Sequence, residues 1–179
     1  RETVKEDDKI FARIMSDKET MQYLLNQLPE SGEFTEALMA ERRVKHAKEV
    51  EEGIRLQYTI VEKCSGIVVG MCGLFRIDAK NEKAEFGIIV DRAHFRKGIC
   101  SQAFNLLYPI AFSPDHYNLN RLEGWTRKKN KAMCSFFKKR GFLKEATLRQ
   151  YVKDPNGFHD ITIWAMLREN VQTLKENTP

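Results

Sequence analysis

The chain contains 179 residues, of which 42% are hydrophobic and 31% are charged. This length and composition fit a single globular domain, residues 1–179, that can bury an apolar core. No apolar run approaches the roughly 18 residues that a membrane-spanning helix needs, and the charged first eight residues do not resemble a secretory signal. We therefore expect a cytoplasmic protein without a membrane partner.

The net charge is +5, from 30 Lys and Arg residues against 25 Asp and Glu residues. Basic residues are concentrated at positions 127–131 and 138–140. These runs lack the interleaved aromatic residues typical of nucleic-acid binding, so no nucleic-acid partner is expected. A phosphate-rich small ligand and a solvated helix face both remain open as interpretations.

The cysteines indicate a reducing setting. They lie at positions 64, 72, 100 and 134. This pattern has neither the paired spacing of a metal site nor the density of a secreted disulfide framework. We therefore expect reduced thiols and no metal.

Two helices are predicted in the first third of the chain. Residues 6–16 have apolar side chains at helical spacing, and the polar run 17–20 is expected to end this helix. Residues 28–32 are predicted to form a loop. Residues 35–52 form a longer amphipathic pattern closed by Gly53, with small apolar residues among the charges: Ala37, Leu38, Ala40, Val44, Ala47 and Val50.

The middle of the chain predicts three consecutive antiparallel strands. Residues 55–63 and 67–77 are separated by a hairpin turn at 64–66, and a third strand at 83–90 follows a polar turn. Gly87 within the third strand predicts a bulge or a close approach of another backbone.

The remaining pattern alternates helices and strands. Residues 101–110 predict a helix and 121–126 a short strand, and residues 130–140 predict a helix stopped by Gly141. Strands at 143–153 and 158–167 are joined by a hairpin turn at 154–157. The fold class is therefore mixed α/β.

The turn before the 101–110 helix is the strongest functional signal. At a helix start, several backbone N–H groups lack intrahelical partners and the positive end of the dipole points outward. A diphosphate can bind there, with charge supplied by Arg96 and Lys97, while Gly98 allows the backbone to approach it.

Three blocks in this order resemble the GNAT N-acetyltransferase superfamily, in particular the branch of RimJ/RimL protein N-terminal acetyltransferases and spermidine N-acetyltransferases. They are residues 84–100, residues 120–126 with Asn130 and the Gly141-Phe142 pair, and residues 148–160. The resemblance implies a central, mostly antiparallel sheet flanked by helices. It also implies acetyl-CoA as the co-substrate.

The donor-site residues follow from the resemblance and from the turn. Pyrophosphate is expected on the turn formed by Phe95, Arg96, Lys97, Gly98, Ile99, Cys100 and Ser101. The pantetheine arm is expected to pair with the backbone of Ile88, Ile89 and Val90 as an extra strand. Asn130 is expected to cap the following helix and also to touch the donor. Phe137 is the last residue expected to contact the donor.

The chain departs from the family pattern at several positions. Phe95 stands where arginine or glutamine is usual, Arg96 where glycine is common, and Cys100 where glycine or alanine is usual. Met133 occupies a position that is often serine in the RimL-like proteins. Phe137 occupies the position where many relatives have a tyrosine able to protonate the leaving thiolate, so the usual acid is missing.

Glu85 is the candidate base. Strand alternation directs it away from Phe86, towards the face where an amine acceptor would arrive. A carboxylate there can hold the ammonium form and receive its proton through water. The alternative is a solvated carboxylate paired with Lys83 or Arg76.

Two residues are candidates for the acid. Cys134 lies one helical turn before Phe137, and Tyr151 lies in the closing hairpin. A thiolate near its own pKa also needs no acid from the protein. The histidines at 94, 116 and 159 are expected in loops or at the surface.

The leading hypothesis is an acetyl-CoA-dependent N-acetyltransferase that acts, by direct attack in a ternary complex, on a primary amine. The acceptor is a protein N-terminus or a small amine such as a polyamine or an antibiotic, and the protein is a monomer or a homodimer. The alternative is a non-catalytic acyl-CoA-binding module.

Overall fold

A computed structural model of the chain describes residues 1–24, 29 and 32–170. The predicted loop at 28–32 lies largely outside the described residues. The helices are α1 (Asp7–Ser16), α2 (Lys18–Met21), α3 (Glu36–Glu51), α4 (Ile99–Phe112) and α5 (Lys131–Lys139), with one 3₁₀ turn at Arg92–His94. The strands are β1 (Arg55–Val61), β2 (Val68–Asp78), β3 (Lys83–Val90), β4 (Arg121–Arg127), β5 (Leu143–Asp154) and β6 (Gly157–Leu167).

The six strands form one sheet in the order β1-β2-β3-β4-β6-β5. All neighbouring pairs are antiparallel except β3 and β4, which run parallel. Strands β1, β2 and β3 are consecutive antiparallel neighbours, as their short connections predicted. The expected mixed α/β fold with a mostly antiparallel sheet is confirmed.

Helices cover both faces of the sheet. On one face, α4 and α5 bury Phe86 of β3 and Leu122 of β4 together with Phe104. On the other face, α1 and α3 pack against Met71 of β2 and Ile89 of β3. Alternation along β3 thus directs even-numbered residues towards α4 and odd-numbered residues, including Glu85, towards α1 and α3.

Local signals fixed several element boundaries as expected. Gly53 and Gly141 have left-handed φ values of +73° and +80° just after α3 and α5, which is the usual role of glycine there. The side chain of Asn130 caps α5 by accepting from the Met133 N–H at 3.1 Å. The hairpin at 154–157 joins β5 and β6 through the pair Asp154 and Gly157, with Pro155 and Asn156 as the loop.

The polar run at 17–20 ends α1 at Ser16 as predicted, and it also starts the short helix α2, where the Asp17 carboxylate accepts from the Thr20 N–H at 2.7 Å. Two other local predictions need correction. Gly87 makes no bulge, since β2 and β3 keep a regular register from Gly70↔Val90 to Phe75↔Glu85. His159 is not a loop residue but lies within β6.

Helix α3 does not direct its small apolar residues towards the core. Val44 and Val50 are 54% and 44% exposed, whereas Met39 is buried. The positions that share the inner face with Met39 at helical spacing are Arg42 and His46. A charged part of the helix therefore faces the sheet.

Candidate active site

The centre of the site is a wedge-shaped gap where the parallel strands β3 and β4 diverge. The parallel ladder joins only residues 83–85 to residues 121–123, and it ends at the pair Glu85↔Glu123. Beyond that pair no ladder joins the two strands in the described part of the chain. The β4-facing edge of Ile88, Ile89 and Val90 is thereby left available to a ligand. This divergence, and not a bulge at Gly87, exposes the backbone groups that the sequence assigned to the pantetheine arm.

The predicted anion site lies at the start of α4. Gly98 is the N-cap residue with a left-handed φ of +77°, and its carbonyl accepts from the N–H groups of Ser101 and Gln102. Residues 95–98 are all exposed. Neither Arg96 nor Lys97 has a carboxylate partner among the described residues. The turn therefore presents helix-start N–H groups and two uncompensated cations.

The conformation of Arg96 explains one departure from the family pattern. Its φ is +63°, in the left-handed region that favours glycine. Glycine at this position would adopt the same turn without a steric cost, as the resemblance implied. Arginine here adopts that conformation and adds a charge to the turn.

The segment leading to this turn is held by ion pairs with the amino-terminal helices. The buried Asp91 carboxylate accepts from the Ala93 N–H at 3.1 Å and pairs with Arg13 of α1 at 2.5 Å. Arg92 pairs with Glu19 of α2 at 2.9 Å. These pairs connect the segment before the turn to α1 and α2. Those two helices lie on the opposite face of the sheet from α4.

A pocket of about 390 Å³ opens on the α1 and α3 face of the wedge. Its lining includes Glu85, Gly87 and Ile89 of β3 and Trp125 of β4, together with side chains from α1, α3, β1 and β2. The space at Gly87 is filled by the Phe75 ring, which a Cβ there would meet at 2.5 Å. The close approach predicted at Gly87 is therefore made by a side chain of β2.

Glu85 forms an ion pair with Arg76, which was the alternative interpretation of this residue. Arg76 has a φ of +50° and lies where the β2–β3 register shifts, between Phe75 and Asp78. Such an irregularity redirects a side chain, and here the Arg76 guanidinium also lies 5.9 Å from the Trp125 ring centre. Glu85 remains accessible from the pocket that it lines.

The two carboxylates at the end of the ladder have opposite pKa shifts. Burial raises the pKa of Glu85, and the Arg76 partner only partly offsets this. Burial acts in the same direction on Glu123, but hydrogen bonds from Arg121 at 2.7 Å and from the Trp125 indole at 3.1 Å outweigh it and lower its pKa. Of the pair, Glu85 is therefore better suited to accept a proton near neutral pH.

The structure separates the predicted catalytic residues. Tyr151 is 56% exposed, and its ring lies 6.0 Å from that of Trp125, which lines the pocket. Cys134 lies on the opposite face, where its sulfur is 3.8 Å from the Thr162 hydroxyl. Glu85 and Tyr151 therefore lie on the pocket face of the sheet, and Cys134 lies on the face covered by α4 and α5.

Phe137 does not present a surface to a ligand in this structure. It is 1% exposed and packs against Phe142 and Trp164 at ring distances of 5.0 and 6.0 Å. Its ring also covers Gly124, where a Cβ would meet ring atoms at 2.3 Å. Phe137 thus lies in the core beside the wedge, and its expected contact with the donor stays a prediction.

Two residues of the basic run at 127–131 pair with the closing hairpin. Arg127 is buried and pairs with Asp154, and Lys128 pairs with Asp160 at 3.3 Å. Asn130 uses its side chain as the α5 cap. Arg127, Lys128 and Asn130 are therefore used in structural contacts, whereas Lys129 and Lys131 are exposed beside the start of α5.

Sequence reasoning missed several other residues that line the pocket. They are Arg42, Arg43 and His46 of α3, Arg55 and Gln57 of β1, and Trp125 of β4. The signal present in the sequence is that Met39, Arg42, Arg43 and His46 share a helical face. The alternation in β1 likewise places Arg55 and Gln57 on one side.

The comparisons with known proteins bear on this geometry. The family model of the acetyltransferase (GNAT) domain matches residues 1–143. The chain belongs to this GNAT acetyltransferase family. The predicted superfamily and the N-acetyltransferase class are confirmed. Relatives include the uncharacterized N-acetyltransferase p20 of Bacillus licheniformis, 29% identical over 91% of this chain and 88% of that protein. Another is the uncharacterized N-acetyltransferase YoaA of Bacillus subtilis, 25% identical over 93% of this chain and 90% of that protein.

Solved structures share the fold of this GNAT domain. A spermidine N-acetyltransferase from Vibrio cholerae, in complex with CoA and spermine, has a TM-score of 0.81 at 17% identity and 96% coverage of each chain. A ribosomal-protein-S5-alanine acetyltransferase from Vibrio fischeri has the same TM-score at 16% identity, with 94% and 92% coverage. These two proteins are named for different acceptors, so likeness of fold does not select one here. Within the described residues, no helix is long and apolar enough to cross a membrane.

Proposed function

We propose that this protein transfers an acetyl group from acetyl-CoA to a primary amine by direct attack within a ternary complex in the cytoplasm. The observation that carries the proposal is the wedge between β3 and β4, which begins at Glu85. A donor bound along β3 from the α4 face and an amine entering the pocket on the α1 and α3 face would meet there. Membership of the GNAT family supports this reaction class.

The residues present fit coenzyme A. The turn from Phe95 to Ser101 offers a pyrophosphate site because its helix-start N–H groups and the side chains of Arg96 and Lys97 carry no internal counter-charge. Gly98 has a left-handed conformation, and its α-carbon faces open space. A Cβ added there would come near only the Gln102 side chain, at 3.8 Å. The unpaired edge of Ile88, Ile89 and Val90 offers backbone groups to the pantetheine amides. Bound acetyl-CoA supplies the thioester.

Glu85 is proposed to prepare the acceptor. An alkylamine is protonated at neutral pH, and the ionised carboxylate stabilises that cation in the pocket before it takes a proton directly or through water. The raised pKa of Glu85 brings its basicity closer to the pH at which it works. A free backbone N–H of β3 beside it would stabilise negative charge on the thioester oxygen.

The test of this proposal is the Glu85→Gln variant. The amide keeps the size of the side chain but cannot accept the proton, so kcat/KM should fall roughly ten- to a thousandfold while acetyl-CoA affinity is kept. Glu82→Gln is the matched control, because it removes an exposed carboxylate just before the same strand. Equal rates for Glu85→Gln and the wild type at every pH would exclude Glu85 as the base.

A non-catalytic acyl-CoA-binding module is the second candidate. Burial of Phe137 at the position where many relatives have tyrosine is the observation that favours it. Thiol release from acetyl-CoA in the presence of a panel of amines separates the two candidates. The enzyme releases thiol only when an acceptor is present, whereas the module binds acetyl-CoA and leaves the thioester intact.

A further inference from the structure

The pocket is lined by more positive than negative groups. Four arginines contribute to its wall, whereas Asp8 and Glu85 are its only carboxylates among the described residues. The arginines are Arg42, Arg43, Arg55 and Arg76. A site for a polycation would be expected to show the opposite balance.

Three of the four arginines already have carboxylate partners. Arg43 pairs with the buried Asp8 at 3.0 Å, and Arg76 pairs with Glu85. Arg55 pairs with Glu49 at 2.5 Å, and its guanidinium lies 4.6 Å from the Phe75 ring centre. These pairs fix the shape of the pocket wall.

Arg42 differs from the others because no described carboxylate pairs with it. Its guanidinium lies 5.2 Å from the Phe34 ring centre and is partly removed from water. Burial, followed by repulsion from Arg55, lowers its pKa. An uncompensated cation in such a place is unfavourable unless a ligand provides the opposite charge.

The pKa of the neighbouring His46 is affected by the same positive charges. Burial and the nearby Arg55 and Arg42 lower its pKa to about 4. His46 is therefore neutral near pH 7 and can hydrogen-bond to a ligand beside the two guanidinium groups. Helix α3 directs this polar face into the pocket while Val44 and Val50 remain exposed.

Building on the acetyl transfer proposed above, we propose that the acceptor is a primary amine that also carries a carboxylate or phosphate group. Arg42, assisted by Arg55 and His46, binds the anionic group, while Glu85 receives the amine. Unsubstituted polyamines lack the group that Arg42 needs and are poor acceptors.

The sheet register sets the scale of this acceptor. Arg55 is opposite Phe75, and Phe75 is opposite Glu85, so these three residues form one row across β1, β2 and β3. Neighbouring strands lie about 4.8 Å apart, which places the backbones of Arg55 and Glu85 roughly 10 Å apart. Because the Arg55 side chain leans over Phe75, the anionic group is expected about 5–10 Å from the amine nitrogen. An ω-amino acid or a peptide N-terminus with an early acidic side chain has this spacing.

The experiment compares acceptors that differ only in charge. The probes are 6-aminohexanoate against 6-aminohexanamide, the dipeptide amides Ala-Asp and Ala-Asn, and 1,5-diaminopentane. We expect kcat/KM for each acid to exceed that for its amide at least tenfold, with the diamine below both. The small-molecule and dipeptide pairs show which source of the anion the pocket prefers.

Two variants test the role of Arg42. Arg42→Gln should remove the preference for the acids while changing the rates for the neutral amides less than about threefold. Lys48→Gln removes an exposed cation from the same helix outside the pocket and should leave the preference intact. Acetyl-CoA affinity should be unchanged in both.

A binding measurement keeps the inference separate from catalysis. An anion beside His46 favours its protonated form, so 6-aminohexanoate should raise the pKa of His46 in an NMR titration of the CoA complex, and 1,5-diaminopentane should not. Arg42-dependent binding of the acid without turnover would support the anion site and refute the acetyl transfer. Turnover that favours the diamine, or acid and amide rates equally affected by Arg42→Gln, would overturn the anion site and leave the acetyl transfer standing. Neither binding nor turnover with any acid would overturn both.

Discussion

The two carboxylates at the end of the β3–β4 ladder allow the electrostatics of the site to be tested with changes of opposite sign. Arg76 stabilises the ionised form of Glu85, so Arg76→Gln should raise the pKa of Glu85 further. Glu123 destabilises that ionised form, so Glu123→Gln should lower the pKa of Glu85. The two variants thus shift one group in opposite directions.

The magnitudes follow from exposure and spacing. The Arg76 side chain is 71% exposed, so its pair with Glu85 is weak, about 0.3–1 kcal/mol, and one pKa unit corresponds to about 1.4 kcal/mol. We therefore expect a rise of about half a unit in Arg76→Gln. Glu85 and Glu123 are register partners on adjacent strands, and two charges roughly 6 Å apart repel by about 0.7 kcal/mol in water. Because Arg121 neutralises part of the Glu123 charge, the fall in Glu123→Gln should be a few tenths of a unit.

Carboxyl ¹³C NMR titration measures these shifts without an acceptor. The Glu85 signal is assigned as the one missing from Glu85→Gln. Lys48→Gln changes the net charge at a distance and should leave the Glu85 pKa unchanged. Shifts of the same sign in both variants, or an unchanged Glu85 pKa in both, would refute the view that Arg76 and Glu123 set the basicity of Glu85. In kinetics, the raised pKa should place the acid limb of kcat/KM above the usual pH range of a glutamate, and Arg76→Gln should move that limb higher still.

Further predictions concern the donor site and the acid. Gly98 and Gly53 have similar left-handed φ values, +77° and +73°, so valine at either position should cost about 1–2 kcal/mol of stability. Only Gly98→Val should also weaken acetyl-CoA binding, by tenfold or more in calorimetry, and equal affinity in the two variants would remove the pyrophosphate from this turn. Cys134→Ala should lower kcat if Cys134 protonates the thiolate, whereas Tyr151→Phe should change the KM of the acceptor, because Tyr151 lies beside Trp125 on the pocket face. Turnover equal to that of the wild type in the double variant would show that the thiolate leaves without either acid.

The sequence predicted the features that depend on local backbone conformation. The turn at Gly98, the caps at Asn130 and Gly141, and the direction of Glu85 all follow from backbone conformation or strand alternation. It did not predict the wedge, because the pairing of β3 with β4 joins segments separated by α4 and stops after three residues. It also did not predict the orientation of α3. Small side chains such as Ala37 and Val44 bury little surface, so their spacing did not outweigh the contacts of Met39 and the polar face that lines the pocket.

The hydrogen bonds around Cys134 bear on the prediction that its thiol serves as the acid in place of a tyrosine at position 137. The Thr162 hydroxyl lies 3.2 Å from the Thr126 carbonyl, to which it donates its single proton. It accepts from the Trp164 indole at 3.1 Å. Since its own proton is already used, the contact at 3.8 Å with Cys134 is one in which the thiol donates. The Cys134 thiol therefore directs its hydrogen to a hydroxyl that two other partners hold in place, on the face opposite the pocket.

Phe137 completes this arrangement. Its ring fills the space over Gly124 and packs on Trp164, the same residue whose indole fixes Thr162. A tyrosine hydroxyl on that ring would have to find a partner in the core or remain unsatisfied, at a cost of about 1–3 kcal/mol. Phe137 supplies no proton itself. It packs on the residue that holds Thr162 and so supports the Cys134–Thr162 contact. On this view, Thr162→Val should impair turnover in the same way as Cys134→Ala and should have no further effect in the Cys134→Ala background, which steady-state kinetics of the three variants can measure. Additive losses would instead indicate that Thr162 acts through packing alone.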